Sequence, residues 1–249
     1  MEVHAHTHTP RKKWTHYFWE FFMLFLAVTL GFFVENQREH YIEHQREKTY
    51  IRSMIEDLKN DTTNFSFVIN DFLENESHLE FVLRDFEEGR KNNLEDWPQE
   101  FVYTVRMGFA DFFYTDRTLQ QLKNSGGMRL IRNEKASAGI VKYDAEIKDL
   151  NLEIRVLSEA QGFYMEMTDR LWSFKNMFKD QEVIKWQRNP VLPVTKNYWI
   201  TNDPSDFEHL YNKATYYYYT YTRLRRVLDK SRKEAIELIG LLAKEYHLK

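Results

Sequence analysis

The strongest constraint on the fold is an uncharged, mostly apolar run near the start of the chain, Phe21–Val34, which is fourteen residues long. Four aromatic residues lie just before it, between Trp14 and Trp19. Together they make a segment, residues 14–34, that as a helix at about 1.5 Å per residue covers roughly the 30 Å of a bilayer core. At this length, the four aromatic side chains would lie at the depth of the lipid headgroups, where such rings are enriched in membrane proteins. The sequence therefore predicts a transmembrane anchor over residues 14–34.

Two other structures have apolar runs of similar length: a signal peptide and a helix buried in a protein core. Signal cleavage needs small residues just after the run. This chain has Glu35, Asn36, Gln37 and Arg38 there. The sequence favours an uncleaved signal anchor, and a helix buried in a soluble or oligomeric core is the alternative.

The distribution of basic residues predicts the orientation of the anchor. Arg11–Lys13 end a His-rich basic tail, residues 1–13, whereas the basic residues between Arg38 and Arg52 are more widely spaced and mixed with Glu. Lys and Arg near a membrane bias their side toward the cytoplasm. We therefore expect a single-pass protein of the bacterial cytoplasmic (inner) membrane, with a cytoplasmic N-terminus and a periplasmic domain over residues 35–249.

Composition predicts the fold class of that domain. The 249 residues include only 8 Gly and 5 Pro but 16% aromatic residues, which favours long packed helices over disorder or a β-sandwich. Cys is absent, which excludes disulfides and thiolate metal sites. The net charge of −3, with no concentrated basic face, argues against nucleic-acid binding.

A heptad pattern runs through residues 51–86, with nine of its eleven seam positions apolar. Met54, Val68, Leu73 and Val82 widen this seam toward a bundle face. Asn60, Asp61 and Asn64 are a candidate break in the helix. We predict an all-α fold in which the transmembrane helix continues into an elongated antiparallel helical bundle. The seam positions are Ile51, Ile55, Leu58, Thr62, Phe65, Ile69, Phe72, Glu76, Leu79, Leu83 and Phe86.

Further helices follow in the sequence. Gly89 ends the first, and a region from Trp97 to Lys123, with a weak point at Gly108, precedes a glycine turn. A third helix has its seam over residues 140–171. Prolines then break the chain before a final helix that Asp203 or Ser205 caps. The apolar positions expected to be buried in this final helix are Leu210, Ala214, Tyr217, Tyr218, Tyr221, Leu224, Leu228, Ile236, Ile239 and Leu242.

The tyrosine-rich segment of this final helix has two interpretations. Tyr217, Tyr218 and Tyr221 continue the buried stripe at helical spacing, while Tyr216 and Tyr219 lie on its flanks. Core packing is the favoured interpretation. A platform that recognises a sugar or peptide is the alternative.

Short motifs give the chain a resemblance to a known family. Leu119–Gly126 is followed by Leu-Ile-Arg-Asn at residues 130–133, and the anchor runs directly into Glu35–Glu39. In these features the chain resembles a family of uncharacterised bacterial single-pass membrane proteins, in which an N-terminal anchor leads into a helical extracytoplasmic domain. The resemblance implies topology and compartment. It implies no activity.

The first candidate metal ligands are His4, His6 and His8, which alternate in the tail. Neutral imidazoles are common ligands for zinc, copper or nickel. A solvated spacer is the favoured interpretation of such a tract.

A sharper match is His40, Glu43 and His44, which fits the H-x-x-E-H pattern of inverted zinc peptidases. On a helix the two histidines share a face, and the Glu is placed to activate a metal-bound water. The sequence singles out no third ligand. We favour a solvated juxtamembrane helix face, and we predict no metal site, no cofactor and no catalytic residue.

Two features of the anchor bear on function. Glu20 is an acid near the predicted cytoplasmic edge of the membrane, where it can reach lipid headgroups or Lys12 and Lys13. Acids at membrane depth are costly and often functional, so a proton relay is the alternative to the favoured interpretation, an interfacial anchor. Ala27 and Gly31, four residues apart, form a small-residue face through which two anchors can pack into a homo-oligomer.

From these features we expect a membrane-anchored interaction, scaffold or sensory module without enzymatic activity. It contacts membrane lipid and a membrane or envelope protein partner. The alternatives are an auxiliary subunit of an ion- or proton-driven membrane complex that uses Glu20, and a zinc-dependent hydrolase built on His40, Glu43 and His44.

Overall fold

The computed structural model describes residues 13–89, 97–106, 112–179 and 199–248. About 88% of the structure is helical, and the described residues contain no β-strand, which confirms the all-α prediction. An isolated bridge pairs Trp172 with Trp199. The helices are α1 (Trp14–Glu87), α2 (Trp97–Arg106), α3 (Arg117–Asn124), α4 (Glu134–Leu171), α5 (Phe174–Lys179) and α6 (Pro204–Glu245), with a 3-10 turn at Gly127–Leu130.

The chain forms two compact units, Met1–Tyr50 and Ile51–Lys249. Helix α1 runs unbroken from Trp14 to Glu87, so the three polar residues that suggested a break, Asn60, Asp61 and Asn64, lie within a continuous helix. Shortly after α1 ends, Gly89 adopts a positive φ of 65°, a conformation that glycine adopts without steric cost.

Within the second unit, polar contacts show that α6 runs antiparallel to α1. Arg225 Nε donates to Glu76 Oε2 at 2.5 Å, and further along α1 the hydroxyl of Tyr211 donates to Glu87 at 2.9 Å. Residue numbers rise along α1 as they fall along α6. The predicted antiparallel packing is therefore present between these two helices.

Helix α6 is also antiparallel to α4. Asn133 Nδ2, at the start of α4, donates to Glu245 Oε2 at 2.7 Å. Midway along both helices, Arg223 contacts Glu153 at 2.5 Å. The two helices are in tight contact at Gly139, where an added Cβ would lie 2.8 Å from a methyl group of Leu238.

The connecting region between α1 and α4 runs back along α1. His78 Nδ1 lies 2.5 Å from Glu100 Oε2 on α2, and Asp61 accepts a bond from the backbone N–H of Thr115. In the described part of the second unit, α1, the region 97–124, α4 and α6 thus alternate in direction.

The buried seam follows the predicted heptads with two corrections. Leu73 is 49% exposed and Ile236 is 52% exposed, although both were expected in the core. In α6 the buried positions after Leu228 keep three- and four-residue spacings through Ser231, Ala235, Leu238 and Leu242. Ile236 lies one residue out of this register and therefore points away from the core.

The tyrosine segment of α6 packs largely as expected. Tyr217 and Tyr221 are fully buried, whereas Tyr216 and Tyr219 are exposed. Tyr218 is half-buried and donates its hydroxyl to Glu80 at 2.6 Å. The core interpretation is confirmed for Tyr217 and Tyr221.

Candidate functional site

The apolar segment of α1 is exposed along its length. Among the described residues, α1 is the one helix long and apolar enough to cross a membrane, and its most apolar 18-residue window has a mean hydropathy of 1.9 with none of it buried. Phe21, Phe25 and Phe32 are more than half exposed. A helix in the core of a soluble protein would be mostly buried. This segment therefore needs a covering that the described chain does not supply.

Glu20, at the start of this segment, is paired with His16 one helical turn earlier. His16 Nε2 lies 2.9 Å from Glu20 Oε1, and both side chains are about half exposed. Glu20 thus lies in contact with an imidazole at the start of the apolar segment.

The small residues Ala27 and Gly31 occupy an open face of α1. A Cβ added to Gly31 would have nothing within 4 Å, and Ala27 is exposed. Their spacing leaves room for the close approach of another helix. Packing of two anchors through this face is still a prediction.

The juxtamembrane histidines lie beside carboxylates of their own helix. His40 Nδ1 is 3.9 Å from Glu43, and His44 Nδ1 is 3.3 Å from Glu47. Catalytic zinc sites use three protein ligands. Among the described residues, no group of three or more His, Cys, Asp or Glu side chains is placed to hold a metal. The tail histidines His4, His6 and His8 lie outside the described residues.

Sequence reasoning missed a cluster of buried carboxylates in the second unit. Asp57 and Asp61, one turn apart on α1, are each only 1% exposed. Asp57 accepts bonds from Arg117 Nη2 and from the backbone N–H of Thr118, both at 2.9 Å. Because burial of an unpaired carboxylate is very costly, these contacts explain how the charge of Asp57 is accommodated.

The bond from Thr118 caps α3 from a distant part of the chain. The first N–H groups of a helix have no intrahelical acceptors, and a side chain just before the helix usually supplies one. Asp116 stands at that position but makes no side-chain cap bond. Asp57, 61 residues before Thr118, serves instead.

Asp61 binds two further elements. It accepts the backbone N–H of Thr115 and the hydroxyl of Tyr143, each at 2.8 Å. On the next turn, Asn64 Nδ2 donates to the carbonyl of Phe113 at 3.0 Å. Residues 112–116 are not helical, so their backbone groups need partners outside the segment.

We call Asp57, Asp61 and Asn64 the α1 polar stripe. Their spacings of four and three residues place them on one face of α1. This spacing was the sequence signal that could have predicted the stripe. Each of its three residues comes directly before a position of the heptad seam. The stripe does not break the helix, because its side chains bind the connecting region instead.

The electrostatic environments of two buried acids on facing helices differ. Burial raises the pKa of Asp61 above its ordinary value, outweighing the bonds from Thr115 and Tyr143 that lower it. Burial also acts to raise the pKa of Asp144, but bonds from Lys123 and Lys148 bring it below its usual range. Asp144 has cationic partners, whereas the groups that bond Asp61 are neutral.

The two aspartates of the stripe are each 1% exposed, whereas Asn64 is partly exposed. The geometry of the stripe fits a contact that fixes the connecting region on α1. The chain matches no protein-family model, no curated protein and no solved structure. The family resemblance therefore remains a prediction.

Proposed function

We propose that this protein is a membrane-anchored helical interaction, scaffold or sensory module without catalytic activity. Residues 14–34 cross the bacterial inner membrane, with the N-terminus in the cytoplasm and the helical domain in the periplasm. The observation that carries the proposal is the exposed apolar segment of α1, joined to a domain in which several polar side chains bond across neighbouring helices.

Energetics support a lipid covering for the anchor. Burying one Val, Leu or Phe side chain contributes about 1.5–3 kcal/mol. Phe21, Met23, Leu24, Phe25 and Val28 are each more than half exposed. Covering these five side chains would contribute roughly 5–10 kcal/mol, which is comparable with the total stability of about 5–15 kcal/mol that is typical of a folded protein. The length of the segment and its flanking aromatic rings favour lipid over a protein partner as the covering.

Fractionation of the full-length protein tests the anchor. After ultracentrifugation without detergent we expect the protein in the membrane pellet, resistant to alkaline carbonate and released by detergent. The double substitution Leu24→Lys and Val28→Lys should move it to the aqueous fraction, because each charge at the bilayer centre costs about 2.5–3.5 kcal/mol. The matched control, Leu24→Val and Val28→Leu, should stay in the pellet. Wild-type protein in the aqueous fraction would refute the anchor.

An interaction module acts through a partner, and we propose a membrane or envelope protein in this role. Chemical crosslinking in native membranes followed by affinity purification should recover one protein in fixed proportion to this chain. Recovery of the chain alone, as a dimer that Gly31→Leu disrupts, would instead support a homo-oligomer through Ala27 and Gly31.

A second candidate is an auxiliary subunit of an ion- or proton-driven membrane complex. The specific observation that favours it is the contact of Glu20 with His16 at the start of the apolar segment. If Glu20 transfers protons, Glu20→Gln should abolish the partner's transport while the complex still assembles. Unchanged transport in that variant would favour the scaffold.

A further inference from the structure

The α1 polar stripe holds residues 112–118 against α1 through hydrogen bonds, and we call this contact the latch. Residues 112–116 are not helical and α3 begins at Arg117. The stripe accepts two backbone N–H groups of this region, those of Thr115 and Thr118, and donates to one carbonyl, that of Phe113. When this region moves away from α1, water can replace the stripe as the partner of these backbone groups, so we expect local opening without unfolding of α1 or α4.

Apolar contacts support the same region. The ring of Phe112 stacks on Phe65 of α1 with centroids 4.1 Å apart. The neighbouring ring of Phe113 is 71% exposed, so it adds little buried area. The ring of Tyr114 also packs on Tyr143, with centroids 6.2 Å apart. Polar bonds and these two aromatic contacts therefore hold residues 112–118 in place together.

Asp61 differs from the other acid of the latch in its partners. Asp57 is bonded by the guanidinium of Arg117, whereas Asp61 is bonded only by neutral groups among the described residues. Its charge therefore stays largely uncompensated in a site that is 1% exposed. The titratable and charged groups around Asp61 and its partners are Asp57 on α1, Tyr114 and Asp116 in the connecting segment, Arg117 on α3, and Tyr143, Asp144 and Glu146 on α4, with Lys123 and Lys148 bound to Asp144.

We propose that Asp61 makes this latch proton-dependent: residues 112–118 are held more tightly to α1 when the carboxyl is protonated and open more often when it is ionised. A protonated carboxyl can keep both contacts. Its carbonyl oxygen accepts the N–H of Thr115, and its O–H can donate to the hydroxyl oxygen of Tyr143. Protonation thus removes the buried charge without losing a bond.

The direction of the pH dependence follows from linkage. Burial raises the pKa of Asp61 in the latched state above the ordinary carboxyl value of 3.8 that it regains when opening admits water. Below the ordinary carboxyl pKa, the latch therefore has the full extra stability that protonation of Asp61 adds. This extra stability is lost as the pH rises through the raised pKa of the latched state. The latch is tight in acid and looser at neutral pH. This inference does not depend on the proposed membrane function.

Native-state hydrogen exchange on the full-length protein in detergent micelles tests the proposal. The opening equilibrium at the amides of Thr115 and Thr118 should rise with pH from 4 to 7.5, by at most about tenfold per pH unit for a single proton. In Asp61→Asn this dependence should disappear, because the amide side chain can keep both bonds without a titrating charge. A pH-independent opening in the wild type, or an equal dependence in Asp61→Asn, would overturn the proposal.

A second variant keeps the test decisive if Asp61→Asn folds poorly. Tyr143→Phe removes the hydroxyl that stabilises the ionised carboxylate but retains the ring. The pH dependence of opening should then move to higher pH. Amides in the middle of α6, around Tyr217, serve as the control for global unfolding. If they change in parallel with Thr115, the effect is global and the latch is refuted.

Discussion

At the residue scale, one distant side chain makes a helix-capping bond that a sequence neighbour would usually make. Asp57 caps α3 although Asp116 occupies the usual capping position, and Asp57 also pairs with Arg117. The side chain of Arg117 is 67% exposed, so water can solvate its guanidinium if Asp57 is removed. The backbone N–H of Thr118 is buried and has no such alternative. The capping bond, more than the ion pair, should therefore set the cost of losing Asp57.

Substitution of the two aspartates separates these roles. Asp57→Ala leaves the N–H of Thr118 unsatisfied and should lower the free energy of unfolding by about 1–3 kcal/mol. Asp116→Ala should cost less than about 0.5 kcal/mol, as for most surface substitutions. Urea unfolding followed by circular dichroism measures both. A larger loss for Asp116→Ala would mean that the local residue caps α3 in solution.

At the scale of elements, the interface of α4 with α6 includes a glycine with no room for a side chain. Gly139 lies where a methyl group of Leu238 comes within 2.8 Å of the position of an added Cβ, and Leu241 lies 3.4 Å from it. Gly162, in the same helix, has nothing within 4 Å of that position. The two glycines share a helical environment and differ in their neighbours.

This difference predicts opposite effects of the same substitution. Gly139→Leu should destabilise the fold by about 1–3 kcal/mol through overpacking, partly offset by up to about 1 kcal/mol of improved helix propensity. Gly162→Leu should retain only the propensity gain and stabilise slightly. Thermal unfolding of the two variants measures the contrast. Equal shifts in Tm would show that α4 and α6 are farther apart at Gly139 than described.

At the scale of the whole molecule, the proposed anchor leads to a prediction of topology, because the direction of the crossing would decide which compartment the helical domain occupies. The basic residues Arg11–Lys13 favour a cytoplasmic N-terminus. The chain contains no cysteine, so a single introduced thiol reports its own position without interference. Ser158 is exposed on α4 and suits this purpose.

We expect a membrane-impermeant maleimide to label Ser158→Cys in cells whose outer membrane is permeabilised. Thr7→Cys in the tail should react only after lysis, because the inner membrane shields it. The opposite pattern would invert the topology and place the helical domain in the cytoplasm. Gel-shift detection of the maleimide adduct is sufficient, and the cysteine-free parent protein is the blank.

Sequence alone determined the features that depend on local composition and periodicity. The sequence predicted the apolar segment, the heptad seam of α1 and the N-terminal cap of α6. In that cap, Asp203 accepts the N–H of Ser205. Seam positions such as Ile51, Leu58 and Phe65 are buried. These features involve residues close together in the chain, so their physics is contained in a short window.

Only the tertiary structure decided which polar groups meet across the bundle. Asp61 and Asn64 have the composition of a helix break, and their actual partners, Thr115 and Phe113, are 54 and 49 residues away. Ile236 was expected in the core, yet Ala235 and Leu238 take the buried positions. Long-range hydrogen bonds and helix register both depend on how the helices pack, and no local pattern specifies that packing.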